Sequence, residues 1–326
     1  MTQATGNSYL VLPGRTRCVL GEQLTEGGEA ALYAVGDRKV AKVHFPATLA
    51  NGQRPVRQLK VARLVAMRTE QARNRALANV VWPEQSLFND KSHFVGYLMP
   101  RLVGVPLHAV FHAVAWTLAD RAALASQMAT SYAALHAIGI AVGDPSSNNV
   151  VATRDRRSCQ AWLVDTDSFH LPSFPCLVAT ERYRLPPVLQ GKQPWAAGPE
   201  ADNHALAFLL YELLLGGLSP YQHKGGGSPE QCITKEFCPL LQQQETELPE
   251  GPWLARWQAL PHLVRDLFTR AFVSGRTRPT AKDWATVLAL TSFPTSWPDL
   301  QAPAAVAAAA PTKRRFLDLF LRRKTA

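Results

Sequence analysis

The alternation of apolar and polar positions changes character along the chain. Residues 8–45 alternate short apolar runs with glycine-containing turns, the period-two pattern of antiparallel strands. Residues 56–73 shift to helical spacing, with Leu59, Arg63 and Met67 on one stripe and Ala62 and Ala66 on the adjoining one. Strands are expected next at Val80-Val-Trp82 and Phe94-Val-Gly-Tyr-Leu-Met99, followed by a connector at Met99-Pro-Arg-Leu102. Residues 120–138 then form a long helix by apolar spacing, closed by Gly139. Gly225-Gly-Gly-Ser-Pro229 marks an exposed loop, and beyond Ser292 the pattern gives way to a Pro/Ala-rich stretch that reads as a linker. The expected organisation is a folded domain over residues 8–292, a linker over 293–312 and a basic amphipathic tail over 313–326.

Within the second half, Val150-Val151 and Ala161-Trp-Leu-Val164 flank the polar stretch Thr153-Arg-Asp-Arg-Arg-Ser-Cys159 and predict a hairpin. The segment before it is Val142-Gly-Asp-Pro-Ser-Ser-Asn-Asn149, and the segment after it is Asp165-Thr-Asp-Ser-Phe169. An aspartate five positions before an asparagine, then an apolar run ending in another aspartate, suits phosphoryl transfer from a magnesium nucleotide. Asp144 would accept the proton of an attacking hydroxyl, Asn149 would hold one Mg2+ through its amide oxygen, and Asp165 or Asp167 would hold the metal that bridges the phosphates. The end of the apolar run at Leu163-Val164 favours Asp165, with Asp167 as the alternative ligand. Taken alone, the loop around Asp144 is equally a turn-rich connector, since each of its residue types favours turns.

Further landmarks in the right order decide between these readings. Gly27-Gly-Glu-Ala-Ala-Leu-Tyr33 resembles a phosphate-covering loop, and Lys39-Val-Ala-Lys42 resembles the strand that carries a nucleotide-contacting lysine. Val178-Ala-Thr-Glu-Arg-Tyr-Arg-Leu-Pro-Pro187 looks like the end of an activation segment, and the segment from Asp202 looks like the helix whose first aspartate braces the catalytic loop. Arg276-Thr-Arg-Pro-Thr280 resembles a late Arg-Pro element in which Arg278 pairs with a carboxylate of the activation segment. From about residue 17 to about 290 the chain thus resembles the protein-kinase-like superfamily, and more narrowly a divergent bacterial serine/threonine kinase-like group with an Asp-Thr-Asp-Ser-Phe motif.

The resemblance implies an α+β, two-lobed protein-kinase-like fold, with a mainly antiparallel β N-lobe (about 8–100) and a mainly helical C-lobe (about 103–292). It implies ATP and Mg2+ as cofactors and transfer of the γ-phosphate to serine or threonine hydroxyls of a protein partner or of the chain itself. A nucleotide-binding pseudokinase and a small-molecule phosphotransferase are the alternatives. Asp144 and Lys42 are the implied catalytic residues; Thr25, Gly27, Gly28, Ala30, Lys42, Met99 and Arg101 are implied around the nucleotide. The narrower group also implies a PP2C-type phosphatase and a von Willebrand A-type protein as partners.

Four positions depart from the family pattern. Thr25 and Ala30 stand where the loop has glycines, Gly143 replaces the arginine before Asp144, and Ser146 replaces a lysine. Residues 56–73 offer no well-placed glutamate for Lys42: Gln58 is nearest, and Glu70 comes too late. Lys42 is therefore expected to lack the charged partner that positions it.

Composition narrows the surroundings. At 326 residues, 47% hydrophobic and 18% charged, the chain can bury a sizeable core. Five cysteines without paired spacing argue against a disulfide framework and fit a cytoplasmic setting. The first residues carry no basic and apolar leader, and no run reaches the ~18 apolar residues of a membrane span. Half of the +10 net charge lies between Lys313 and Lys324, so the body is only mildly basic and nucleic acid is not an expected partner. Phenylalanines and leucines between the two basic clusters of that tail suit peripheral contact with the inner membrane face, or docking on the body or a partner. His136, His170 and His204 share no metal-ligand spacing.

Overall fold

The computed structural model describes residues 8–11, 16–156, 158–273 and 275–297, with only the backbone at 8–11. The expected tail over 313–326, and the expected linker from 298 on, lie outside the described residues. The chain divides into two compact units. One holds the chain up to Val105 together with Leu163–Asp167; the other holds Pro106–Trp162 and the chain from Ser168 on. The architecture is α+β, an antiparallel sheet followed by a helical region, as a two-lobed protein-kinase-like fold requires.

The first unit is a seven-stranded sheet in the order β2-β1-β6-β7-β5-β4-β3. Its strands are β1 (Ser8–Val11), β2 (Thr16–Val19), β3 (Gln23–Glu26), β4 (Ala30–Val35), β5 (Lys39–His44), β6 (Gln85–Phe88) and β7 (Phe94–Pro100). Alternation along β5 sends Ala41 to one face, where it is buried with Cys18, Leu87, Val95 and Leu98. Val40, Lys42 and His44 take the opposite face, and all three are buried. Gly96 on β7 makes the β5–β7 pairing possible, because a Cβ there would stand 1.9 Å from the Lys42 carbonyl oxygen.

Two sequence expectations shift here. The helix α1 spans Gln53–Glu70, but the side chains it buries are Val61, Leu64 and Met67. Leu59, at 60% exposure, faces solvent, as do Ala62 and Ala66. The strand expected at Val80–Trp82 is instead a buried segment with a single bridge at Val80, tied to Leu163 by bonds from Val81 N to Leu163 O and from Leu163 N to Asn79 O. The ladder strand, β6, comes later, at the more polar Gln85–Phe88.

The division falls at the two-residue strand β8 (Val105–Pro106). The second unit contains α2 (Leu107–Phe111), α3 (Leu118–Ala137), the hairpin β9 (Val150–Arg154) and β10 (Cys159–Leu163, whose last residue belongs to the first unit), α4 (Pro186–Leu189), α5 (Pro199–Leu215), α6 (Pro229–Thr234), α7 (Trp253–Ala259), α8 (His262–Phe272) and α9 (Ala281–Leu290). Thr117 and Asp120 form a reciprocal capping box that starts α3, and Gly139, at φ +76°, follows its end. The helix α5 is the centre of the unit: every residue from Asp202 to Leu215 is buried. Each leucine so enclosed contributes roughly 2 kcal/mol of apolar transfer energy. At its C-terminus the carbonyls left without helical partners meet buried arginines, Arg121 reaching Leu213 O and Arg256 reaching Leu215 O at 2.9 Å. Among the described residues no helix is long and apolar enough to cross a membrane.

Candidate active site

In the first unit, strand register builds a charged cluster around Lys42. Lys42 stands opposite Leu32 of β4 on one side and Tyr97 of β7 on the other, so the three side chains share one face of the sheet. An ammonium enclosed this way costs free energy unless paired. Lys42 Nζ donates to Oδ1 of Asp165 and, at 2.7 Å, to Oδ1 of Asp167. Tyr97 donates its hydroxyl to the same Asp167 oxygen at 2.6 Å. The expectation that Lys42 lacks a charged partner is thereby corrected. Its partners come from the segment after β10 and not from α1, where Glu70 pairs with Arg63.

Burial and charge set the protonation of this cluster. Burial pulls against the Lys42 ammonium, but the two carboxylates outweigh it and hold its pKa above the ordinary lysine value. Burial likewise opposes the Asp167 carboxylate, and Lys42 overcomes it, leaving Asp167 ionised well below the usual carboxylate range. Burial raises Tyr97, reinforced by the Asp167 charge, so its hydroxyl stays a donor. His44 Nε2 lies 3.9 Å from Asp167 Oδ2, yet burial lowers its pKa to about 4, and at neutral pH the ring is uncharged and forms no ion pair.

Asp165 adopts φ +61°, a left-handed conformation that aspartate tolerates better than most residues. Its side chain keeps 23% of its surface in solvent, against 7% for Asp167. The phosphate-loop candidates sit in the β3–β4 hairpin, closed by a bond from Gly27 N to Ala30 O at 2.8 Å. Gly28 is exposed at its tip, whereas Thr25 and Ala30 are strand residues with buried side chains. Alanine and threonine fit these two positions because their side chains turn into the protein. Met99, buried near the end of β7, pairs with Val40, and Arg101 N donates to Arg38 O at 2.9 Å.

In the second unit, the loop carrying Asp144 is braced from α5. Asp202 is fully buried and accepts from Val142 N at 2.6 Å and Gly143 N at 3.1 Å, with His136 Nε2 at 2.9 Å. Gly143 has φ +79°, and a Cβ there would lie 2.8 Å from both the Ser168 carbonyl oxygen and Cys176 Cβ. The sharp turn explains why an arginine cannot occupy this position. Asp144 accepts two hydrogen bonds on Oδ1, from Thr180 N and Thr180 Oγ1. Asn149 donates its amide nitrogen to the Asp144 carbonyl oxygen at 2.9 Å, which turns its amide oxygen away from that carbonyl. Ser146 is buried, and its Oγ accepts from Asn148 N.

The activation-segment-like stretch is held by charge in a way the sequence did not suggest. Arg182 donates to Glu212 of α5, and Tyr183 donates its hydroxyl toward Glu212 Oε2 (3.2 Å) or Ser147 Oγ (3.1 Å). Arg278, expected to pair with a carboxylate of that stretch, instead lies 3.5 Å from Glu200 in the first turn of α5. Tyr97, His44, Thr180, Arg182 and Glu212 are contacts that sequence reasoning missed. His44 alone carried a readable signal, two positions after Lys42 on the same strand face.

Within the first unit, the Asp165 and Asp167 carboxylates are hard oxygen donors. Magnesium is commonly held by one or two carboxylates together with substrate phosphates, and these residues fit that demand. Among the described residues, no group of three or more His, Cys, Asp or Glu side chains is placed to hold a metal ion by itself.

No protein-family model matches the chain. It is 28% identical over 298 residues to a protein of Escherichia coli (strain K12) named protein kinase YegI, an alignment covering 82% of this chain and 44% of that protein. A protein of the same name from Escherichia coli O157:H7 is 27% identical over 318 residues, covering 89% of this chain and 46% of its own length. The chain spans about half the length of the curated relatives it matches. This likeness over most of the chain, on an α+β fold of the required kind, supports a kinase-like function.

Proposed function

We propose that the chain is an ATP-dependent protein kinase that phosphorylates serine or threonine hydroxyls of a protein partner or of itself. The observation that carries this reading is the state of Asp144: its Oδ1 is fixed by two Thr180 donors, and its own carbonyl is fixed by Asn149. A carboxylate oriented so firmly suits proton acceptance from an incoming hydroxyl. On this reading Asp144 takes that proton as the hydroxyl oxygen bonds to the γ-phosphorus and the bond to the β-phosphate oxygen breaks. Lys42 would contact the α- and β-phosphates, and Asn149 and Asp165 or Asp167 would hold Mg2+, which would supply neutralisation of the phosphate charge.

A second reading, a nucleotide-binding pseudokinase, is favoured by one specific observation. Ser146 stands where a lysine would stabilise the transferred phosphate, and it is buried in a bond to its own loop. A PP2C-type phosphatase and a von Willebrand A-type protein are the proposed partners of either form. Incubating the chain with γ-labelled ATP and Mg2+, alone and with such partners, tests the proposal. Label recovered on serine or threonine supports the kinase, and ATP binding without label supports the pseudokinase.

A further inference from the structure

We infer that Asp167 is the positioning partner of Lys42, doing the work for which α1 offers no carboxylate, and that Asp165 is the carboxylate left to the metal. The inference deepens the kinase reading above and rests on it. Its basis is the unequal surroundings of the two aspartates. Asp167 Oδ1 accepts from both Lys42 Nζ and the Tyr97 hydroxyl, its Oδ2 faces His44, and its side chain is almost wholly enclosed. A carboxylate walled in by β5 and β7 side chains is an anchor for the lysine. Asp165 shares the lysine but retains more than three times the relative solvent exposure, as a metal shared with phosphates demands.

Register explains how the anchor is built. Lys42 and Tyr97 are directly opposite one another on β5 and β7, so both reach one oxygen of Asp167 from neighbouring strands. The only acidic residue of α1, Glu70, is engaged with Arg63, and Gln58 carries no charge. Lys42 is thus held by the sheet and the segment after β10, and its placement does not depend on a carboxylate from α1.

Nucleotide affinity without metal separates the two roles, because it reports the lysine and not Mg2+. Calorimetric titration of the full chain with ATP, in EDTA and in Mg2+, would compare Asp167→Asn, Asp165→Asn, Tyr97→Phe and Lys42→Met. Loss of one charge-assisted contact corresponds to about tenfold in affinity. Asp167→Asn is expected to weaken metal-free ATP by about that factor, Tyr97→Phe by less, and neither to add to Lys42→Met. Asp165→Asn, which also removes a Lys42 contact, is expected to weaken metal-free ATP by less than Asp167→Asn and to abolish the tightening by Mg2+. The inference is overturned if Asp165→Asn weakens metal-free binding while Asp167→Asn does not, or if both act alike in the two conditions. Should Asp167→Asn fail to fold by circular dichroism, Tyr97→Phe decides, and unchanged metal-free affinity there overturns the inference. A wild-type chain that binds no ATP in either condition would instead defeat the kinase reading, and this inference with it.

Discussion

Thr180 donates both its backbone N–H and its hydroxyl to Oδ1 of Asp144, at 2.7 and 2.9 Å. The two bonds tie the activation-segment-like stretch to the proposed proton acceptor and fix the direction in which its second oxygen points.

Thr180→Val keeps the side-chain shape and the backbone bond but removes the hydroxyl. One hydrogen bond to a charged group is worth about 1.5–3 kcal/mol, so phosphate transfer should fall by roughly ten- to a hundredfold. The KM for ATP should change little, because no proposed nucleotide contact is touched. Steady-state rates for the two proteins check this, and an equal loss in kcat and in ATP affinity would point to general damage.

His204 gives the protein a pH dependence with a definite sign. It is fully buried on α5 among Phe208, Tyr221 and Phe272, and burial, aided by the Arg278 charge, lowers its pKa from 6.5 to about 3. The unfolded chain therefore binds a proton between pH 6.5 and pH 3 that the folded chain refuses, and stability falls as pH drops through that window. The slope is about 1.4 kcal/mol per pH unit, or about 2 kcal/mol between pH 6.5 and pH 5. His204→Phe should remove that share of the acid sensitivity, leaving the shares due to His44 and His112, whose pKa values burial also lowers. Urea denaturation of both proteins at pH 7 and pH 5 measures it; identical pH dependence would show that His204 is not the source.

Trp297 is held between two buried arginines, its ring 4.8 Å from Arg121 and 4.3 Å from Arg256. These arginines also cap the carbonyls of α5, so the residue lies against the centre of the helical unit although the sequence places it in the expected linker. Desolvated cation–π contacts are worth up to about 2 kcal/mol each, and Trp297→Ala should cost about 2–4 kcal/mol of stability. Thermal denaturation of the variant beside the wild type measures it.

Local signals in the sequence carried much of this account. The hairpin β9–β10, the capped helix α3 and the strands of residues 16–45 follow from periodicity and turn residues that act over a few positions. Of the stripes expected on α1, Met67 is buried whereas Leu59, Ala62 and Ala66 are exposed; Val61 and Leu64 complete the buried face, and only packing selects it. The segment Val80–Trp82 resembles a strand because it is apolar and buried, while β6, with Gln85 and Ser86, shows little alternation. The pairing of Lys42 was least legible. It depends on the β5–β7 register and on Asp167, far along the chain, so no window around Lys42 contains its partners. Asp144 and Asn149, by contrast, lie on one short loop whose spacing alone brings them into contact.

The central claim is phosphoryl transfer through Asp144, and the most direct measurement is label transfer from γ-labelled ATP by Asp144→Asn beside the wild type. The wild-type chain should incorporate phosphate on serine or threonine in Mg2+. The variant, folded by circular dichroism and still binding ATP through Lys42, should lose at least about a hundredfold in rate. Equal incorporation by the two proteins would contradict the account.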